Sequence, residues 1–235
     1  MIELTFDNDI AHLHFDDGKA NVLNSVSLAA LEQALEEAKG AKAVVLSGRE
    51  GTFSGGLGLR PLPTLPPQEF QATLGQFTGL CRTLLTFPRP VVAAVTGHAI
   101  AGGTVILLCC DHRIGESGDF KIGLSEVPLG MPLPTFVLRL AEHSVSKRHL
   151  IEAALHGRLY PPREAEKMGY LQSVVESGHA ISRAHQVAAN LGALPNPAYL
   201  LTKNRLTSEL VSSLGTFDEE MEFFVSSFDW SKNKR

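Results

Sequence analysis

Glu126 lies in Gly123-Leu-Ser-Glu-Val-Pro-Leu-Gly-Met-Pro132, a lone carboxylate among apolar neighbours on a stretch punctuated by proline and glycine. A carboxyl withdrawn from water ionises less readily, so its pKa rises towards neutrality, where it can both take and return a proton. The competing reading is a solvated loop glutamate, because Glu is mostly exposed. Two glycine-bearing turns are the other candidates for chemistry: Thr52-Phe-Ser-Gly-Gly-Leu-Gly58 and Ala101-Gly-Gly103 each follow a run of apolar residues. Glycine lets a substrate approach the main chain closely and leaves peptide N–H groups free to donate, so two such turns side by side can form an oxyanion hole. Either turn can equally serve turn geometry and helix packing alone.

Other chemistries find less support. Neither turn continues into Gly-Lys-Ser/Thr, and Gly56-Leu-Gly58 lacks the third glycine of a dinucleotide fingerprint. There is no Gly-x-Ser-x-Gly elbow, and Ser54 has no motif-linked base. His98, between a strand and a turn, reads most simply as a part-buried histidine bonded to backbone. His112, His143, His149 and His156 show no HExxH spacing, so no metal site is expected. Cys81, Cys109 and Cys110 have neither metal nor disulfide spacing and read as core residues.

The elements that must position these residues alternate between two periods. Ile2 to Phe6 and Ile10 to Phe15 alternate around Asn8-Asp9, which is hairpin chemistry. From Ser27, a candidate N-cap, Leu28, Leu31, Leu35 and Ala38 recur at helical spacing, with Gly40 as a stop. Ala43 to Ser47 and Val91 to Val95 have the apolar continuity of buried parallel strands, and each runs into one of the glycine turns. Pro61, Pro63, Pro66 and Pro67 predict a stiff extended loop after the first turn. Phe70, Leu74, Phe77, Cys81 and Leu84 then mark a helix, and Thr104 to Cys110 another. Strand, glycine turn and helix occurring twice points to a layered α/β fold. His112 to Ile114 and Phe120 to Ile122 read as short strands, and Gly123 to Pro134 as a loop. Leu150 to Leu155, Pro162 to Met168, Ile181 to Leu191, Tyr199 to Leu214 and Phe217 to Phe228 read as helices.

Composition narrows the class. A chain of 235 residues with 44% hydrophobic and 20% charged residues sits near the globular average. A net charge of −4 offers no basic excess for nucleic acid. The apolar stretch Val91 to Cys110 has the length of a membrane span, but Gly97, His98, Gly102 and Gly103 interrupt it, so a membrane location is not expected. MIELTFDNDI has no apolar signal core, which suggests a cytoplasmic protein.

Ala20-Asn-Val-Leu-Asn24, Phe53-Ser-Gly-Gly-Leu-Gly-Leu59, Pro90 to Gly103, Cys110-Asp-His-Arg-Ile114 and Phe120 to Pro132 together resemble the crotonase (enoyl-CoA hydratase/isomerase) superfamily in order and spacing. Arg163-Glu-Ala-Glu-Lys-Met-Gly-Tyr-Leu171 is similar to its post-catalytic helix. The resemblance implies an α/β spiral of ββα units with two nearly perpendicular sheets and a C-terminal helical oligomerisation region. Residues 1–175 would form the crotonase core, and 176–235 the C-terminal helices of the same functional unit. It implies an acyl-CoA ligand, with coenzyme A entering as part of the substrate thioester and no permanently bound cofactor. The oxyanion hole would be the N–H groups of Leu57 and Gly102, Glu126 would be catalytic, and Ala20, Val22, Gly58, Leu59 and Arg60 would contact substrate. Homotrimers or hexamers would follow, and Phe217, Met221, Phe224 and Val225, with no evident intrachain partner, would bury themselves between protomers.

Two positions depart from the family pattern. Hydratases of the family carry two catalytic glutamates, and the first position here is Val105, which cannot transfer a proton. Gly58 stands where Asp is usual after the oxyanion residue. One carboxylate suits a proton shuttle better than water addition, so the resemblance favours an isomerase converting 3-enoyl-CoA to 2-enoyl-CoA. A hydratase or another crotonase-type lyase or hydrolase is the same-class alternative, and a non-catalytic CoA-binding or assembly subunit the alternative of another class.

Overall fold

In the computed structural model, which describes residues 1–58, 67–217 and 219–220, Asn8 and Asp9 both take positive φ (47° and 66°). Asn and Asp tolerate this left-handed pair, which a two-residue hairpin turn requires. The turn joins β1 (Ile2–Asp7) to β2 (Ile10–Phe15) antiparallel, with Ile2 opposite Phe15. The sheet then grows in parallel through β4 (Ala43–Gly48), β7 (Val91–Val95), β9 (His112–Glu116) and β11 (Ser173–Val175), in the order β1-β2-β4-β7-β9-β11. All of β4 and β7 is buried, as the unbroken apolar runs predicted.

Short strands turn this sheet into a spiral. β5 (Gly51–Ser54), β8 (Gly97–Ile100) and β10 (Ile122–Gly123) form a second, parallel sheet in the order β10-β8-β5, while β3 (Val22–Leu23) pairs with β6 (Gly56–Leu57). The helices are α1 (Ser25–Glu37), α2 (Pro67–Thr86), α3 (Gly102–Leu108) and α4 (Thr135–Ser144). Thus β4 passes to β5 and on to α2, β7 to β8 and α3, β9 to β10 and α4. Each pass has one strand in the large sheet, one in the small sheet and a helix outside them, which is the repeating ββα unit. The corner between β7 and β8 needs glycine, because a Cβ on Gly97 would lie 1.9 Å from the carbonyl carbon of Gly51.

Two packed layers hold the sheet. Leu28, Leu31 and Leu35 of α1, with Leu74, Phe77 and Leu84 of α2, are buried in one core with Leu13, Val44 and Ala93. On the opposite face Ala180, Ala184 and Ala188 of α6 (Ala180–Gly192) sit on Val45, Val92 and Ile114. The chain also forms α5 (Pro162–Met168), at its predicted bounds, and α7 (Asn196–Ser213), which packs on α2 and α4.

Several boundaries differ from the sequence reading. The N-cap of α1 is Asn24, whose side chain accepts the N–H groups of Val26 and Ser27; Ser27 is the third helical residue and closes the capping box. Leu150 to Leu155 gives only a π turn at Ile151–Leu155. Helix α4 and strand β11 were not anticipated. The stretch Val91 to Cys110 is divided among β7, β8 and α3, and among the described residues no helix is long and apolar enough to cross a membrane. Cys81, Cys109 and Cys110 are buried free thiols, as expected.

Candidate active site

The site is built where two ββα units bring their glycine turns together. Thr104 pins the start of α3: its hydroxyl lies 2.6 Å from the Ala99 carbonyl and accepts the Gly123 N–H at 3.3 Å, tying the helix to β8 and β10. Ala101, just before the helix, is held at φ 52°, ψ −125°, a conformation costly for a residue with a Cβ. Its N–H donates to Gly123 and its carbonyl accepts from Val105, so the surrounding bonds fix this turn and with it the Gly102 peptide. Gly102 opens α3, where the first N–H groups of a helix have no partner within it.

The other turn lies against it. Gly56 has φ 84°, and a Cβ there would come within 2.8 Å of the Gly102 nitrogen; a Cβ on Gly102 would lie 3.1 Å from the Leu57 nitrogen. Only glycine permits this approach of backbone to backbone. Gly56 and Gly58 direct their N–H groups to the Ser54 hydroxyl (3.1 Å) and the Leu23 carbonyl (3.2 Å). Leu57 lies between these two glycines, in β6, with its nitrogen against Gly102.

Asn21 locks this turn, and sequence reasoning assigned it no role. It is fully buried at φ 50°, and its amide nitrogen donates to the carbonyls of Phe15 (2.6 Å) and Phe53 (3.1 Å). Its own carbonyl accepts the Ser54 hydroxyl at 2.7 Å. The signal was a turn-forming Asn after Asp16-Asp-Gly18, easily absorbed into a loop.

Glu126 follows β10 and starts a 3-10 turn, Val127–Leu129, with its carbonyl accepting from Leu129 (2.9 Å) and Met131 (3.0 Å). Its carboxyl oxygen Oε2 is buried and has no hydrogen-bond partner. Burial pushes the carboxyl up to about 7, against smaller opposing hydrogen bonds from its own N–H and that of Ser125. The solvated-loop reading of Glu126 is therefore excluded.

Leu57, Gly102, Val105 and Glu126 line one cavity of about 50 Å3, with Phe77, Met131, Val137 and Phe217 among its apolar walls. Among the described residues Glu126 is the one ionisable group in that lining. Val105, 1% exposed, contributes only apolar surface. Such an enclosure can take a proton from a carbon acid at Glu126 while two peptide N–H groups hold the negative charge that develops.

Ala20, Val22 and Gly58 lie beside this turn, outside the cavity lining. The Ala20 carbonyl accepts the Gly55 N–H at 2.8 Å, and a Cβ on Gly58 would meet Val22 Cγ1 at 3.0 Å. Leu59 and Arg60 lie outside the described residues, as do Met221, Phe224 and Val225. Phe217 corrects an expectation: it has intrachain partners, with its ring centroid 5.9 Å from that of Phe77 and 6.3 Å from that of Phe136, because the chain after α7 folds back onto α2 and α4. His98 accepts the Lys121 N–H at 3.1 Å, the bland role expected of it.

A larger cavity of about 660 Å3 lies at the far end of α3, lined by Asp111, Arg113, Tyr199 and Lys203. Its charges are already answered within the chain. Lys203 pairs with Asp111 at 2.8 Å, and Arg113 donates to the carbonyls of Tyr170, Cys110 and Gly169. Among the described residues no group of three or more His, Cys, Asp or Glu could hold a metal ion.

Comparison with known proteins agrees with this geometry. The enoyl-CoA hydratase/isomerase family model matches residues 5–233. Human mitochondrial enoyl-CoA delta isomerase 1 is 30% identical over 223 residues, covering 92% of this chain and 74% of that one. A putative enoyl-CoA hydratase of Thermus thermophilus is 31% identical over 205 residues, covering 85% and 78%. The crystal structure of human mitochondrial delta3-delta2-enoyl-CoA isomerase superposes with a TM-score of 0.92 at 28% identity, covering 98% and 93%.

Proposed function

The chain belongs to the enoyl-CoA hydratase/isomerase family, and we propose that within it the protein is an isomerase moving a double bond along an acyl-CoA thioester. The observation that carries this reading is the single carboxylate that the described residues bring to the cavity: Glu126 faces a lining in which Val105 offers no second acid or base. Glu126 removes a proton from the α-carbon of a 3-enoyl-CoA. The electron pair of that C–H bond moves into the thioester, and the resulting enolate oxygen is held by the N–H groups of Leu57 and Gly102. The electrons then return through the conjugated system, and the γ-carbon takes the proton back from Glu126, leaving a 2-enoyl-CoA and an ionised carboxylate. No water is consumed and no second catalytic group is needed. A pKa of about 7 suits the cycle, because base and conjugate acid are both accessible near neutral pH.

The relatives' names include hydratases as well as isomerases, so the discriminating experiment presents both substrates. With purified protein, 3-enoyl-CoA should be converted to the conjugated 2-enoyl-CoA, and 2-enoyl-CoA should be hydrated poorly. Rapid hydration would assign the protein to the hydratases. Tight acyl-CoA binding with no turnover of either would make it a binding subunit.

A further inference from the structure

Phe217 lines the cavity but takes no part in the reaction. We propose that Phe217 sets the acyl-chain length this pocket accepts, and that Glu220 is a positioning residue holding Phe217 in place; the proposal rests on the acyl-CoA reading above. Phe217 is 2% exposed and lines the same cavity as Glu126 and Gly102. With the thioester oxygen at Leu57 and Gly102 and the α-carbon at Glu126, the rest of the acyl chain must run into the space bounded by Phe77, Val137 and Phe217. The whole cavity, its thioester end included, has about 50 Å3, so the part left for the tail is smaller still. It is sized for a short tail.

Phe77 and Val137 belong to the long helices α2 and α4, and Phe217 packs in the same core. Phe217 comes instead from the segment after α7, reached through the 3-10 turn Leu214–Thr216. Besides the Phe217–Phe136 ring contact, a side chain from just beyond this segment clasps it to α4. The Glu220 carboxylate accepts the Thr135 N–H at 2.6 Å, at the first residue of α4, and the Thr216 hydroxyl at 2.7 Å. The clasp brackets Phe217 on both sides, so the ring's depth in the cavity depends on it.

The test compares kcat/KM for 3-hexenoyl-CoA and 3-dodecenoyl-CoA, together with calorimetric binding of the saturated hexanoyl and dodecanoyl esters, which needs no turnover. The wild type should favour the short chain by both measures. Phe217→Ala should shift the long-to-short ratio by roughly tenfold or more, the discrimination commonly attached to one methylene in an apolar pocket. Phe217→Leu, which keeps an apolar core residue, should shift it in the same direction by less and serves where the alanine variant fails to fold. Glu220→Gln should shift the ratio several-fold in wild type but add little to Phe217→Leu, since both act through one ring. A wild type that prefers dodecenoyl, or an unchanged ratio in folded Phe217→Leu, would overturn the proposal. If the wild type binds the esters with the expected ratio but isomerises none, the isomerase reading falls and the chain-length proposal stands. No binding of either ester overturns both.

Discussion

Helix α3 has a buried carboxylate at each end, and their surroundings are opposite. Beyond its C-terminus Asp111 is answered by the Lys203 ammonium at 2.8 Å, the Val91 N–H at 2.8 Å and the Tyr199 hydroxyl. Near its N-terminus Glu126 meets a cavity in which one of its oxygens has no partner. Burial raises both carboxyls, but at Asp111 a cation and hydrogen bonds pull the other way. A carboxylate that holds the fold together has its charge met inside the chain, whereas one kept for chemistry retains unspent capacity for a substrate.

Breaking the Asp111 side should cost the most. Lys203→Met leaves a buried carboxylate without its cation and should destabilise the fold by about 3–5 kcal/mol in urea denaturation. Adding Asp111→Asn should recover much of that loss. A single variant as stable as wild type would mean that the pair is not needed to solvate Asp111. At the other end of the helix, Gly102→Pro removes one of the two N–H donors proposed for the oxyanion hole. Isomerisation should fall at least about a hundredfold, or ~2.7–4 kcal/mol, in a variant whose circular dichroism is native. Near-normal turnover would place the oxyanion site elsewhere.

The third contrast concerns stability and pH. Glu126 ionises at about 7 when folded against 4.5 ordinarily. Stability from its protonated form is therefore fully present below pH 4.5 and is lost as pH rises through 7. The loss is roughly 3 kcal/mol at most. Glu126→Gln, which cannot ionise, should melt higher than wild type at pH 8 and level with it near pH 4. Equal melting at both would show that Glu126 pays no burial cost.

The sequence made the large sheet and the key residues legible for a physical reason: β4 and β7 are buried on both faces, so they are apolar but for Ser47, and close backbone contacts required glycine in the turns after them. Glu126, Leu57 and Gly102 were named from residue type and family resemblance, and the fold brings all three into one cavity. Of the two- to four-residue strands of the smaller sheets only β10 was touched, by the short strand read at Phe120 to Ile122, because Gly97–Ile100 or Val22–Leu23 is too short to show a period of two. Helix α4 was hidden by the prolines before it. The cavity lining was misread at Phe217, since an apolar residue after the last long helix reads as oligomer surface until the chain is seen to fold back. The role of Asn21 was invisible because its side-chain amide donates to the Thr52 and Phe53 carbonyls, more than thirty residues away.

The most direct test of the single-carboxylate account is the pH dependence of 3-enoyl-CoA isomerisation in wild type and Glu126→Gln. The wild type should show kcat/KM rising with pH through an inflection near 7, where the free enzyme's Glu126 becomes a base. Glu126→Gln should retain acyl-CoA binding but lose about a hundred- to ten-thousandfold in rate, with that inflection gone. A Glu126→Gln enzyme that still isomerises at the wild-type rate, with the same inflection, would contradict the account.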